Sequence, residues 1–486
     1  MNQPALKREI GLYTATSIVI GGVIGAGIFM RPSEMAGFLG SPLLLLLIWL
    51  IAGVFTLFSA MVNAEIGAMF PETGGQYIYM HKIYGDFWSY LFGWASFAVI
   101  NTAGTAGISF IASQYIEYFF KLPRFSPAIE HSVVLHVPLI GDLLPLENFG
   151  VKSLTIIILC VLTFISYRST KASGALQVFF TTLKVGAIVL LVVGLFFSGK
   201  GNFQHFLISD HSIKPIGFIA MTAAIVAACN GALQAYDGWY FSLNVGGEIK
   251  NPQKNIPLSL FIGLFICMIV YMLVTSAIIY IMPVADMAKS SLVASDATSI
   301  AFGTIGGGII AGLIALNVIG TTNACVYTPP RITFAMAREK RFFAWTGKIH
   351  PRFNTPGNAM LLHLFWMIPL VLSGSFFILA DMYIFVVFIF NLMLVAGIYI
   401  LRKKMPDAPR PYRVWGYPWM PALVIIFNLI YLVMTVRTDI SNYVSGKTHV
   451  INSVFGIILC LVGVPFYFYF KKKYGSLAEE IANGSQ

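Results

Sequence analysis

The stretch IVIGGVIGAGIF, residues 18–29, decides how the chain is read. Gly21, Gly22, Gly25 and Gly27 sit in the middle of an apolar run long enough to form a membrane helix. Glycine in a helix interior costs about 1 kcal/mol relative to alanine. Four of them therefore mark either an interruption or a face of close helix contact, with Gly22 and Ala26, or Gly21 and Gly25, as a small-xxx-small pair. A phosphate loop is excluded, because no strand precedes the glycines.

The rest of the chain sets the context. It is 57% hydrophobic and 10% charged, where a soluble chain carries about 25% charged residues. Apolar stretches able to cross about 30 Å of hydrocarbon fall near residues 11–39, 42–69, 87–120, 152–170, 173–198, 216–247, 257–282, 304–336, 358–379, 382–401, 418–437 and 450–470. This predicts an all-α integral membrane protein of twelve spans, the first, sixth and eighth longer than a simple crossing.

The formal charge of +11 follows the same topology. With both termini in the cytoplasm, Lys7, Arg8, Lys82, Arg168, Lys171, Lys250, Lys254, Arg338, Lys340, Arg341, Lys348, Arg352, Arg402, Lys403, Lys404, Arg410, Arg413 and residues 471–473 fall inside. The other side keeps Arg31, Lys121, Arg124, Lys152, Lys200 and Lys214 among its smaller share. The positive-inside bias accounts for the basic balance, and no nucleic-acid partner is expected.

The first apolar run is too long for a cleavable signal peptide and lacks its small-residue cleavage pattern. Cys160, Cys229, Cys267, Cys325 and Cys460 all lie inside apolar spans, so no disulfide framework is expected. The longest external connection, residues 121–150, holds four prolines and reads as a structured cap or short surface helices; its His131 and His136 lack a third metal ligand. The polar tail SLAEEIANGSQ reads as a frayed end.

A second interruption stands five spans after the first. CNGALQAYDGW, residues 229–239, puts Asn230, Gly231, Gln234, Asp237 and Gly238 at membrane depth. Interrupted segments in corresponding positions of two five-span units point to a transporter with inverted repeats. Unwinding frees backbone groups, tolerated only where they are buried in protein or line a watery cavity. The outer half of the first span, beginning near Ile28, would offer N–H groups of Gly25, Ala26 and Gly27 and a positive dipole end to a carboxylate. The inner half, and the matching half of span six, would end in carbonyls suited to an ammonium. A zwitterionic α-amino acid carries both charges.

Two ionisable residues stand out as functional candidates at membrane depth. Lys184, mid-way along span five, needs carbonyl or carboxylate partners and is placed to substitute for a coupling cation between spans one and eight. Asp237 is either functional or a carboxylate satisfied by N–H groups of the break.

The chain resembles the amino acid–polyamine–organocation superfamily over nearly its whole length, and within it the L-type amino acid transporter (LAT) family. The matches are GGVIGAGIF in span one, PETGGQYIY at residues 71–79, LQVFFTTLK in span five, AYDGW and NVGGEIKNPQKNIP within residues 235–257, and IGTTNACVYTPPRITFAMAREKRF at residues 319–342. The resemblance implies a LeuT-like fold in one transmembrane domain. Its inverted halves would cover about 11–198 and 216–401, with two extra helices at about 418–470, in the cell membrane. It implies Na⁺-independent amino acid transport, usually by exchange, without a cofactor. It places the substrate carboxylate on Gly25, Ala26 and Gly27, and the ammonium on the carbonyls of Val23, Gln234 and Asp237. Tyr236 and Trp239 would shape the pocket and gate, and Lys184 would pair with Thr321 or Thr322.

Three departures qualify it. Gln234 stands where many relatives have an aromatic gate, which favours a more polar substrate. Pro329 and Pro330 replace hydroxyl residues and predict a kink at the inner end of span eight. The 121–150 loop lacks the cysteine that joins relatives to an accessory glycoprotein, so no disulfide-linked subunit is expected.

Other classes fit poorly. GLFFSGKG at residues 194–201 lacks the final Ser/Thr of a nucleotide-binding loop and lies on the external side. No HExxH or nucleophile constellation marks an enzyme, and no filter repeat marks a channel. Asp237 favours a cationic amino acid or polyamine carrier as the alternative, proton-coupled symport being another. Lys184 nearby opposes a second positive charge, so small or polar neutral amino acids (Ala, Ser, Thr, Gln) are expected.

Overall fold

The computed structural model describes residues 8–483 except 26, 73, 169, 211, 213–216 and 354. The helices that cross or enter the apolar layer are α1 (Leu12–Val23), α2 (Gly27–Leu39), α3 (Pro42–Met69), α4 (Asp86–Glu117), α5 (Phe149–Arg168), α6 (Thr170–Phe197), α7 (Phe218–Ala235), α8 (Pro252–Ile281), α9 (Val293–Tyr327), α10 (Gly357–Ser373), α11 (Phe376–Lys404), α12 (Trp419–Val444) and α13 (Asn452–Tyr474). Among the described residues eight helices are long and apolar enough to span a membrane, or nine when α1 and α2 count as one span bent by 44°. Their outer faces carry Leu, Ile, Val and Phe in the open, such as Ile157, Phe164, Val185 and Ile426. In water such a surface would be a large liability; against lipid it is the ordinary solvent face. The chain is an all-α membrane protein.

α2 packs on α7, α1 and α3 on α8, and α4 and α6 on α9, while α11 packs against α4, α12 and α13. α3 begins at a Ser41 cap whose hydroxyl accepts from the Leu44 N–H, followed by Pro42 at the first helical position. At the end of α3 the buried Glu65 accepts from Arg402 Nε and Nη2 at 3.0 and 2.7 Å and from the Val414 N–H at 2.7 Å. These bonds tie α3 to the end of α11 and the chain beyond it. Arg402 therefore has a structural role in joining these segments.

Two expectations gain detail and one changes. α9 kinks at a non-helical Gly303 (φ 77°), so the expected span from residue 304 follows a separate helical stretch that begins at Val293. Its far end breaks at Thr328 and Pro329, as the two prolines predict, and restarts as Pro330–Arg338, because prolines at the start of a helix need no N–H partner. The tail is helical rather than frayed: Gly463–Asn483 is one element, and its Leu-Ala-Glu-Glu run consists of strong helix formers.

Connections between the helices are tied down on both faces of the molecule. The 121–150 cap forms a short helix, Pro127–Glu130, and a hairpin of Leu135–Val137 with Gly141–Leu143. The cap is strapped to the α12–α13 connection by Asp142 N–H to His449 O (2.7 Å) and Ile451 N–H to Ile140 O (2.8 Å). On the other face Ile10 forms a parallel bridge with Ile249, so the start of α1 is pinned to the chain following α7.

Candidate functional site

Both interruptions are real, and they face each other. α1 ends at Val23, with a last helical bond from Ile24 N–H to Ile20 O (2.8 Å), and helix resumes at Gly27. α7 stays helical through Ala235, so the break in that span is confined to residues 236–240 before a single turn, Phe241–Asn244. The expected unwinding around Asn230 and Gln234 does not occur, because both carboxamides find side-chain partners: Tyr431 for Asn230, Arg31 and Tyr383 for Gln234.

The glycines divide between the two roles the sequence left open. A Cβ on Gly22 would stand 2.6 Å from Gly238 O and 2.8 Å from the Phe241 ring. One on Gly27 would stand 2.9 Å from Ala235 Cβ and 3.1 Å from Gln234 Oε1. These two permit close contact between the broken segments. Gly21 has open space around it in the last turn of α1, and Gly25, in the break itself, meets only Val23 O at 3.8 Å. Gly238, at φ 100°, takes a left-handed conformation that side chains rarely adopt.

A residue absent from the sequence reading joins the breaks. Tyr271 on α8 is fully buried, with its hydroxyl 2.8 Å from Val23 O and 2.7 Å from Ala235 O. The Gly25 backbone hydrogen-bonds the same hydroxyl. A hydroxyl has one proton to donate, so it serves the two carbonyls alternately while accepting from Gly25. Trp49 and Tyr236 pack on its ring at 5.2 and 4.9 Å between centroids. Nothing in MIVYMLV distinguishes this tyrosine from an ordinary apolar-span residue.

Between the breaks lies a cavity of about 480 Å³ lined by Gly21, Gly22, Val23, Gly25, Gly27, Lys184, Gln234, Ala235, Asp237, Thr321, Cys325 and Tyr383, among others. Its walls reach Thr14 and Ser17, which lie near the start of α1. At the α2 end Gln234 and Tyr383 form its roof. Of the predicted site residues, Val23, Gly25, Gly27, Gln234, Asp237, Lys184 and Thr321 line this cavity. Ala26 lies outside the described residues. Tyr236 and Trp239 line a smaller adjoining cavity of about 60 Å³, whose wall shares Asp237 and Tyr240 with the larger one.

The individual partners refine the roles. Lys184 Nζ donates to Gly21 O at 3.4 Å, a carbonyl in the last turn before the break. The expected threonine pairing is replaced by this contact: the Thr321 and Thr322 hydroxyls donate within their own helix to Asn317 O (3.2 Å) and Val318 O (2.9 Å). Helical hydroxyls bond back in this way because the carbonyl four residues earlier is always within reach. The Asp237 carboxylate is held by the Gly238 N–H and the Tyr240 hydroxyl, the latter at 3.3 Å, so the break satisfies its own acid. The Val23 and Gln234 carbonyls already accept from Tyr271 and from the Asp237 N–H (3.3 Å). The second lone pair of each is what remains for a ligand. All five cysteines are free thiols, and Cys325 faces the cavity beside Thr321.

Two interrupted helices whose broken ends share a cavity lined by Lys184, Gln234 and Asp237 in a membrane protein define a carrier. The amino acid permease family profile matches residues 10–466, and the chain belongs to that family. It is 32% identical to the serine/threonine exchanger SteT of Bacillus subtilis (strain 168), over 97% of this chain and 98% of that protein. It is 30% identical to the large neutral amino acids transporter small subunit 2 of Mus musculus, over 96% of this chain and 81% of that one. The cystine/glutamate transporter of Homo sapiens is 29% identical, with coverages of 96% and 85%.

Proposed function

We propose that the chain is a sodium-independent exchanger of neutral L-amino acids, with small or polar ones preferred. The observation that carries this reading is the cavity between the broken helices, whose free backbone groups suit both charges of a zwitterion. The carboxylate sits against the N–H groups of Gly25, Ala26 and Gly27, that of Gly25 being shared with the Tyr271 hydroxyl. The ammonium faces the carbonyls of Val23, Gln234 and Asp237. Lys184, donating to Gly21 O, holds the end of α1 as a resident cation, so no coupling ion is needed there. SteT, by name a serine/threonine exchanger, supports the preference, as does the polar roof of Gln234 and Tyr383.

The same reading assigns twelve spans with both termini in the cytoplasm and two inverted five-span halves. The paired packing of α3 on α8 and α4 on α9 supports the repeat, since these are the second and third spans of each half. The mouse relative carries "small subunit" in its name; the cysteine-free 121–150 loop favours a carrier working here without a disulfide-linked partner. Asp237 in the cavity wall favours one second reading, a cationic substrate. Proteoliposomes decide: labelled serine should enter without Na⁺ only when the vesicles are preloaded with unlabelled amino acid. Uptake indifferent to preloading would replace exchange by uniport or proton symport. Competition by arginine but not by serine or alanine would establish the cationic reading.

A further inference from the structure

Just above the cavity roof lies a buried charge cluster that substrate binding does not require. Arg31, on the first turns of α2, is 1% exposed. Its guanidinium meets Glu34 of its own helix through Nη1 and Asp381 of α11 through Nη2, the latter at 3.0 Å. Nε donates to Gln234 Oε1 of α7 at 3.2 Å. The rings of Phe376 and Phe377 lie 5.1 and 5.4 Å from the guanidinium carbon. Gly231 makes room: a Cβ there would stand 3.1 Å from Arg31 Cδ. One side chain thus joins three helices at the end of the cavity opposite Thr14 and Ser17.

We propose that Arg31 is the latch that closes this side of the cavity, and that Gln234 is the element through which the latch and the cavity sense each other. The guanidinium has donors only, so it fixes the carboxamide with Oε1 toward Arg31 and Nε2 toward the roof. Nε2 then donates to the Tyr383 hydroxyl at 3.0 Å. The Tyr383 oxygen is thereby an acceptor, and its own proton is turned to an acceptor in the cavity it lines. The relay from Arg31 through Gln234 to Tyr383 presents a hydrogen-bond donor at the roof, suited to the side-chain oxygen of a small polar substrate. A ligand that takes this proton strengthens the relay and hence the closed face, since successive hydrogen bonds polarise one another.

The physics of buried ion pairs makes such a latch reversible. Desolvation of three charges offsets most of their mutual attraction. Water re-entering from the α2 side recovers the hydration as the pairs part, so neither state is a trap. The planar fork also matters: a lysine offers a point charge and cannot hold Asp381 and Gln234 with separate, fixed donors.

The inference rests on the cavity being the transport site, so its test reads which face is open rather than transport. With Cys160, Cys229, Cys267 and Cys460 replaced by alanine, Cys325 in the cavity wall reports access to a membrane-impermeant maleimide applied to either side of oriented vesicles. The intact latch should confine labelling to the side of the α1 start. Arg31→Gln should raise labelling from the α2 side at least about tenfold, because the guanidinium's links from α2 to α11 and α7 are lost. The triple variant Arg31→Gln, Glu34→Gln, Asp381→Asn leaves no uncompensated charge and should show the same shift, and it decides the matter if the single variant does not fold. Arg31→Lys should fall between. Unchanged α2-side labelling in the triple variant, with α1-side labelling retained, overturns the latch. Protection of Cys325 by serine from the α1 side, measured in parallel, reports on the substrate cavity and separates its failure from that of the latch.

Discussion

Removing the Tyr271 hydroxyl is the smallest change that tests whether the two broken helices act as one site. Tyr271→Phe deletes a single oxygen and leaves the ring contacts with Trp49 and Tyr236 in place. The oxygen lies within hydrogen-bond distance of Val23 O and Ala235 O, at 2.8 and 2.7 Å, and accepts from Gly25. One donated and one accepted bond are lost, each worth about 0.5–1.5 kcal/mol net, a total of roughly 1–3 kcal/mol. Val23, Gly25 and Ala235 all line the cavity, so water can satisfy the released groups in the empty protein. The loss therefore appears mainly as disorder at the binding site, and stability should fall by less than about 1 kcal/mol. At about 1.4 kcal/mol per tenfold, the apparent affinity for serine should weaken by about tenfold, within a range of roughly 5 to 150. Binding by scintillation proximity and thermal unfolding on the same preparation measure both quantities. An unchanged affinity, or an affinity loss matched by an equal stability loss, refutes the bridging role of Tyr271.

Replacing Lys184 by Ala removes the ammonium from Gly21 O and should reduce exchange turnover by about tenfold or more, the worth of a charge-assisted bond, with the purified protein still monodisperse. Full exchange by the variant would leave the lysine without a transport role. Gln234→Phe should turn the competition profile toward larger apolar amino acids, because the polar relay to Tyr383 is replaced by a ring; a profile unchanged from the parent places selection elsewhere. Gly238→Ala puts a Cβ against the Gly22 backbone at φ 100° and should cost at least about 1–3 kcal/mol. Thermal unfolding measures this, and an unshifted transition would show that the two breaks do not touch.

The class of fold and the location of the breaks are legible in the sequence because both are written in local terms. A run of apolar residues is its own signal, and glycines within it stand out. The site is legible where backbone supplies the chemistry: Val23, Gly25 and Gly27 line the cavity as expected. It is illegible where long-range packing assigns partners. Lys184 is recognisable from its depth, yet its partner is a carbonyl of α1 rather than a threonine of α9, and no pattern in either helix encodes that choice. Arg31 lies near a span end and so reads as one of the external charges. Only its contacts with Glu34 and Asp381 reveal a buried cluster, and those depend on how α11 packs. Asn230 and Gln234 look like helix breakers; their carboxamides are occupied by Tyr431, Arg31 and Tyr383, leaving the helix intact beneath them.

The stitching of α1 and α2 to the chain around α7 has a mechanical meaning. Contacts hold them at Ile10 with Ile249, at Gly22 with Gly238 and at Gly27 with Ala235, along a lever bent by 44° between α1 and α2. On the far side, the main-chain strap from residues 140–142 to residues 449–451 fastens the loop between α4 and α5 to the α12–α13 connection. A lever pinned along its length cannot slide at one end alone. Any tilt that narrows the mouth near Thr14 therefore pulls at Arg31, so that the two mouths of the cavity are opposite readings of a single rotation.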